Sequence, residues 1–428
     1  MPMNTFRPEG GGAVACSLVL PTRNRASILE ETLRRVTALP DRGIEIIVVD
    51  NGSTDGTANL EEKFPGVRWI WLGRNLGCAA RNVGVMAARG GLIFMLDDDS
   101  WPESGAVDAA TRLFSARPDL GAVACRVRLA DPPHRHDAGG VPGVFFNCGG
   151  VIRRDAYVAA GGLPIDFDYY VEEYDLACRL LAAGRRIEPH GELVVWHRRV
   201  TRNRDNNRML RLLVRNNMRL WNRYAPDDLR QELLDQTRER YRRVGLRENA
   251  LRGYVEGVIE GRRALAKAPS RRAPLTPAAF AALFGLDVAQ EVLAAWADKL
   301  RIGRAAIFHR GKGCEQLIDV VGRVNIPIDA VYDTAVEASA WRGLALRHVD
   351  AFDPDRVDGV VVGSLSPGVA EDLSHDFSRL CPRVPVVSAA PWSACSEGGT
   401  TPLLHASSGI VLPAPQPSLA DGLSPAIC

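Results

Sequence analysis

The chain has 428 residues, 46% hydrophobic and 24% charged, with a net charge of +2. That length asks for two or three domains with sizeable cores, and the charge balance gives no global signal for nucleic acid. The nine cysteines (16, 78, 125, 148, 178, 314, 381, 395, 428) include no C-x-x-C pair, which removes zinc and thioredoxin-type readings and leaves reduced thiols of a cytoplasmic protein as the expectation.

The opening "MPMNTFRPEGGG" lacks the apolar stretch of a signal peptide, and no apolar run approaches the roughly 18 residues that span a bilayer. Beyond it, "CSLVLP" (16–21), "IEIIVVD" (44–50), "VRWIWL" (67–72) and "GLIFMLD" (91–97) read as strands. Between them "SILEETLRRVTAL", "TANLEEKF" and "CAARNVGVMAA" carry helical spacing. This alternation predicts a mostly parallel sheet covered on both faces, in which ligands bind beyond the carboxyl ends of the strands. Asp50 closes the second predicted strand and Asp97 the fourth, so both fall on one rim.

Several short motifs on that rim carry chemistry. "VVDNGSTDGT" (48–57) sets Asp50 and Asn51 where they bind a planar base or a ribose, or simply form a turn. "RNLGCAARNVG" (74–84) adds Arg81 inside a helix that starts near Gly77. A helix amino end and an arginine both favour phosphate, although helix arginines are usually just solvated. "FMLDDDSWPE" (94–103) crowds Asp97, Asp98 and Asp99, as in a solvated acidic turn or around a hard divalent cation. Strand alternation puts Asp97 and Asp99 on one side and turns Asp98 elsewhere. Further on, Glu172, Glu173 and Asp175 open an amphipathic helix, where the dipole favours acids in any case, and His197 follows the strand-like "ELVVW".

The order of these motifs resembles family-2 glycosyltransferases of the GT-A fold, of the bacterial polysaccharide and rhamnosyl- or galactosyl-type. The resemblance covers roughly residues 14–225 and rests on "SLVLPTRNR", "IIVVDNGSTDGT", "RNLGCAARNVG", "IFMLDDDSWP", "CGGVIRRDAY…GG", "EEYDLACRL" and "VVWHRR". It implies a role for each matching residue. Pro21 and Arg23 line the nucleotide pocket, and Asp50 binds the base, usually uracil, with Asn51 and Ser53 beside it. Arg81, Asp97 and Asp98 join the donor-binding set, Asp97 on the ribose or on metal-bound waters. Asp99 ligates Mg²⁺ or Mn²⁺ shared with the donor diphosphate, and His197 joins it. Glu173 stands where many relatives carry the Asp of a Glu-Asp pair and inherits the role of general base, with Glu172 as the alternative. The implied reaction moves a sugar, with inversion, from a UDP-sugar or dTDP-sugar to a hydroxyl of a glycan, a lipid-linked acceptor or a small natural product. A sugar-1-phosphate nucleotidyltransferase would want an early Gly-Gly-x-Gly-Thr-Arg loop, and this chain has "PTRNRAS" there. An inactive sugar-nucleotide scaffold is disfavoured because all the expected acids are present.

Residues 198–272 hold 21 Lys+Arg against 9 Asp+Glu, a net +12. Arg204, Arg208, Arg211, Arg215, Arg219 and Arg223 recur on one helical face. The basic helices of 203–266 dock peripherally on an anionic membrane, or form a solvated face or a lid over an anionic donor. "LLVRNNMRLWNRYAP" (212–226) resembles a segment that follows the catalytic domain in relatives acting on cell-surface polysaccharides. "KAPSRRAPLTPAAF" (267–280) reads as a linker, and "RAAIFH" (304–309), "IDAVYD" (328–333) and "VDGVVVGS" (357–364) as strands of a second unit whose "HRGKGCEQL" is a poor dinucleotide loop. The expected organisation is a GT-A α/β catalytic domain at 14–200, a basic helical extension at 201–266, a linker and helix at 267–300, a small Rossmann-like α/β domain with a structural or dimerising role at 301–392, and a disordered tail at 393–428. The expected setting is the cytoplasm, with room for attachment to the inner face of the membrane, and no nucleic-acid partner.

Overall fold

The computed structural model describes residues 14–393 apart from 42, 138, 201–204 and 268–271. The expected tail from 394 onward and Arg204 lie outside the described residues; Ser393 itself pairs with the first sheet, its N–H donating to Pro189 O over 2.8 Å.

The first unit comprises β1 (Cys16–Thr22), α1 (Ala26–Thr37), β2 (Ile44–Asp50), α2 (Leu60–Lys63), β3 (Arg68–Trp71), α3 (Ala80–Ala87), β4 (Leu92–Met95), β5 (Ser100–Pro102), α4 (Ala106–Ala116), β6 (Leu120–Leu129), β7 (Gly150–Arg153), α5 (Arg154–Ala159), α6 (Glu172–Ala182) and β8 (Arg186–His197). Its eight strands run β3-β2-β1-β4-β7-β6-β8-β5. The four predicted strands form the parallel half, and β7 turns the sheet antiparallel against β4. β1, β2 and β4 are apolar runs because helices cover both faces and nearly every side chain is buried. Thr22 stands opposite Asp50 in the β1–β2 register, which brings the first loop beside the end of the second strand.

Three long helices follow: α7 (Asn206–Tyr224), α8 (Arg230–Arg247) and α9 (Leu251–Lys267). A Cβ on Gly253 would lie 2.1 Å from Asn207 O, and one on Gly257 would lie 2.6 Å from Arg211 O. Glycines four residues apart therefore seat α9 directly on the backbone of α7. The segment expected as a linker is held in place where it is described: Ala273 N–H and Leu275 N–H bond to Arg223 O and Tyr224 O. Thr276 then caps α10 (Pro277–Phe284), whose Phe280 and Phe284 pack on Trp221 of α7.

After α11 (Leu286–Leu300) comes the second unit: β9 (Ala305–Phe308), α12 (Cys314–Arg323), β10 (Ile328–Asp333), β11 (Ala340–Trp341), β12 (Leu344–His348), β13 (Gly359–Val362), α13 (Pro367–Leu380) and β14 (Val386–Val387). Its parallel strands run β12-β10-β9-β13-β14. The loops after β9 and β13 are tied to one another, Gly311 N–H donating to Gly363 O at 2.7 Å and Leu365 N–H to Lys312 O at 2.8 Å. Buried residues of both units and of the helices between them belong to one apolar cluster. No single described helix is long and apolar enough to cross a membrane.

Candidate active site

The rim at the carboxyl ends of β2 and β4 collects the acids. Asp50 is buried: its Oδ1 accepts from Gly52 N–H (3.0 Å) and Ser53 N–H (2.8 Å), while Oδ2 has no protein partner. An orphaned carboxylate oxygen at a rim is an acceptor awaiting a donor group. Pro21 lies near the end of β1 and Arg23 on the loop that follows it, with Arg23 exposed. Ser53 Oγ accepts from Asn24 N–H at 2.9 Å, tying the two loops together. Asn51 braces the backbone, donating to Gly77 O (3.0 Å) and accepting from Leu76 N–H (2.7 Å).

The three aspartates have three environments. Asp97 is the most open and pairs with the buried guanidinium of Arg81, which also donates to Leu96 O. Asp98 turns inward to Thr22 Oγ1 (2.8 Å) and Arg25 Nη1 (2.6 Å). Its burial pushes its carboxyl up to about 7 against the pull of Arg25. Asp97–Asp99 lie in a turn beyond β4, and Asp98 shares the Arg25 guanidinium with Asp99 instead of pointing elsewhere, which makes it an anchor for the first loop. Asp99 is buried between His197 Nε2 (3.1 Å) and Arg25 Nη2 (2.8 Å) and accepts from Val200 N–H. Burial would raise its carboxyl, but His197 and Arg25 hold it well below the usual range.

His197 ends β8, and its Nδ1 lies 2.6 Å from Asp137 Oδ2. Burial would lower the imidazole, but Asp137 and Asp99 outweigh it and push it up to about 10. Asp137 thus fixes the ring so that Nε2 faces Asp99. Asp97, Asp99 and His197 offer one donor atom each within 4.8 Å of one another. Two carboxylates and an imidazole suit Mn²⁺ or Mg²⁺.

Glu172 and Glu173 open α6. Glu172 is buried, bonded to Asn147 Nδ2 at 3.0 Å, and its Oε2 has no partner. Glu173 is the more accessible. Burial raises both carboxyls, Glu172 furthest because the Glu173 charge adds to it. The preceding loop holds Asp168, Tyr170 and Val171 at φ of 67°, 69° and 72°, a left-handed backbone that a β-branched valine resists. Asn216 of α7 clamps this loop, donating to Phe167 O (2.9 Å), Tyr169 O (2.9 Å) and Tyr170 O (2.8 Å).

The arginine stripe of α7 serves the same loop. Arg208 meets Asp168 (3.3 Å), Arg219 meets Asp166 (3.8 Å) and Arg223 meets Asp175 (2.6 Å), while Arg211 and Arg215 face Glu260 of α9. Sequence reasoning missed Arg25, Asp137, Asn147 and Asn216. Arg25 sits in "PTRNR", two residues past Arg23, and was within reach; nothing local marks the other three as parts of the site.

A cavity of about 520 Å³ joins Arg81, Asp97, Glu172, Glu173 and His197. Pro21, Arg23, Asp50, Asn51, Ser53, Asp98 and Asp99 do not line it. Asp97 and the two glutamates therefore flank a common space, and Asp50, Asp98 and Asp99 stand outside its lining.

Residues 17–139 match the family model described as glycosyl transferase family 2. Over those residues the chain is similar to family-2 glycosyltransferases. The eight-stranded mixed sheet, covered by helices, is of the α/β class expected from the sequence. Among curated relatives, Glycosyltransferase AglE of Haloferax volcanii is 32% identical over 93 residues, covering 20% of this chain and 31% of that protein. Validoxylamine A glucosyltransferase of Streptomyces hygroscopicus is 36% identical over 91 residues, covering 19% and 21%. The matches thus span a third or less of those two proteins. Among solved structures, S. aureus TarS 1–349 in complex with UDP-GlcNAc superposes with a TM-score of 0.44 at 14% identity, over 67% of this chain and 87% of that one.

Proposed function

We propose that the protein is a metal-dependent glycosyltransferase that moves a sugar from a UDP-sugar, or a dTDP-sugar, to an acceptor hydroxyl with inversion. One observation carries this reading: Asp97 and His197 of the candidate metal cluster line the same cavity as Glu173 and Glu172. The orphaned Oδ2 of Asp50 is the acceptor for a base N–H. Asp97, Asp99 and His197 would hold Mn²⁺ or Mg²⁺, which when bound neutralises charge developing on the departing diphosphate. Arg81 adds a fixed positive charge behind Asp97. Glu173 takes the proton of the attacking hydroxyl, and burial makes its carboxylate a stronger base than one in water. Glu172, held by Asn147, supports the helix end on which Glu173 stands. The acceptor belongs to glycan or glycoconjugate synthesis, with a soluble natural product as the narrower alternative.

The test is a binding screen of the purified chain against UDP-, dTDP- and GDP-sugars with and without Mn²⁺. Binding of a UDP-sugar that needs Mn²⁺ and weakens in Asp50→Ala supports the reading. Absence of metal-dependent binding to every nucleotide sugar overturns it.

A further inference from the structure

The cavity does not end at the two glutamates. It runs on between α7 and α8 to the first turn of α12, in the second unit, where Glu315 and Gln316 line it. This wall is fastened to the transferase domain. Lys312 Nζ donates to Gly139 O at 2.8 Å and lies 5.3 Å from the Phe146 ring centre, and Arg240 of α8 donates to Gly311 O at 2.9 Å.

Glu315 and Gln316 are each 8% exposed. The Gln316 amide donates to Gln236 Oε1 of α8 at 3.2 Å. Among the described residues the Glu315 carboxylate has no hydrogen-bond donor; the charges of Arg243 and Arg342 reach it, but neither forms an ion pair with it. An acid in a first helical turn is ordinary when it points to water. One that lines a cavity with no protein donor keeps acceptor capacity that a ligand's hydroxyls would use.

On the reading proposed above, the base-binding residues lie outside this cavity, so the space beyond Glu173 belongs to the acceptor. We propose that the second α/β unit is the acceptor-recognition wall, and that Glu315 and Gln316, with Gln236, bind the hydroxyls of a neutral polyhydroxylated ring. The lining decides the class. Carboxylate and amide groups match hydroxyl donors and acceptors, and the Tyr241 ring lines the same cavity. Arg240 and Lys312 also line this end, each donating to a backbone carbonyl, Gly311 O and Gly139 O, and it is the Glu315 carboxylate on the same wall that disfavours a phosphate-bearing group.

Saturation-transfer NMR on the full chain tests this, with methyl β-glucopyranoside and myo-inositol as neutral probes, glycerol 3-phosphate as the anionic one, and UDP with Mn²⁺ as the control for folding. At least one neutral probe should receive saturation from the wild type, and Glu315→Ala and Gln316→Ala should each weaken it by about tenfold or more while UDP still binds. Unaltered probe binding in both variants overturns the proposal, as does binding of the anionic probe alone. So does the absence of any neutral-probe signal up to about 50 mM, a concentration well above ordinary small-ligand constants. If Glu315→Ala also loses UDP, Glu315→Gln, which keeps the shape, decides: unaltered probe affinity in that variant sinks the idea. A wild type that binds the ring but no nucleotide would instead overturn the transferase reading and leave the ring site standing.

Discussion

At the rim of the first sheet, Asp50 and Asp97 sit at or just beyond the ends of buried strands, and each belongs to a contiguous motif. At the far wall of the same cavity, Asn217 of α7, Gln236 of α8 and Gln316 of α12 meet from positions far apart in the chain. The rim is local geometry: a strand ends, a loop turns, and a short run of residues lands on one edge. The wall is assembled by packing, and no run of residues announces it. The first kind of site can be read from a short run of residues, and the second cannot.

The largest effect should come from the glutamates, where the two regions meet. Glu173→Gln keeps shape and hydrogen-bonding reach but cannot accept a proton. Transfer should fall by roughly 10²–10⁴-fold under donor saturation, with donor affinity retained. Glu172→Gln should lose far less, because that residue is buried against Asn147. Should Glu172→Gln be the dead variant, the roles are exchanged; should neither lose transfer, inversion by direct displacement is wrong for this chain.

Next comes the rim acid. Asp99 is buried and holds both Arg25 and His197, so truncation to alanine would strand two cations as well as remove a ligand. Asp99→Asn is the cleaner variant. It should lower metal-dependent transfer at least about a hundredfold, since a main stabiliser of leaving-group charge is weakened. Retention of more than about a tenth of the rate, in a variant with an unaltered melting curve, would remove Asp99 from the metal site.

The same contrast explains what the sequence made legible. The four parallel strands follow from apolar runs, two of which end in Asp50 and Asp97, and the structure pairs those strands in parallel. The α7 arginines were read by their spacing alone, which gives a face but not what the face meets. That face meets Asp166, Asp168, Asp175 and Glu260, four acids distant in sequence. Asn216 was invisible for the same reason: three bonds to a left-handed loop are a property of the fold, and its neighbours in "VRNNMRL" do not single it out. The segment at 272–276 read as a linker from its composition, yet its backbone bonds to the end of α7. A fragment ending at residue 270 would lose that segment and uncover Trp221, so the donor rim is better tested by substitution than by truncation.

Asn216→Ala carries the comparison between the regions. It leaves every rim residue in place and removes only the clamp on the loop before α6. Stability should drop by about 2–4 kcal/mol, since buried carbonyls lose their donor. Transfer should fall about tenfold at temperatures where the variant is folded, because Glu173 is carried on the end of that loop. Denaturant unfolding and kinetics on the same preparation measure both. A destabilised variant with full transfer would mean that the loop is held well enough by its arginines.

The smallest effect is in the acid limb of the pH profile. A general base works only when deprotonated, so the rate is present above its pKa and lost as pH falls through it. Burial raises the Glu173 carboxyl above its ordinary value of 4.5, so the limb should lie at higher pH than that of a carboxylate in water. Glu172 is pushed further up by burial and by the charge of Glu173, so it holds its proton while Glu173 is ionised. Replacing that neutral acid by a neutral amide should therefore leave the limb nearly where it was. A profile of transfer against pH in wild type and Glu172→Gln, with an acceptor that does not titrate, reads the difference. A shift below about half a unit fits a neutral Glu172. A large fall in the limb would show that Glu172 is charged in the working enzyme and that the two carboxylates titrate as a pair.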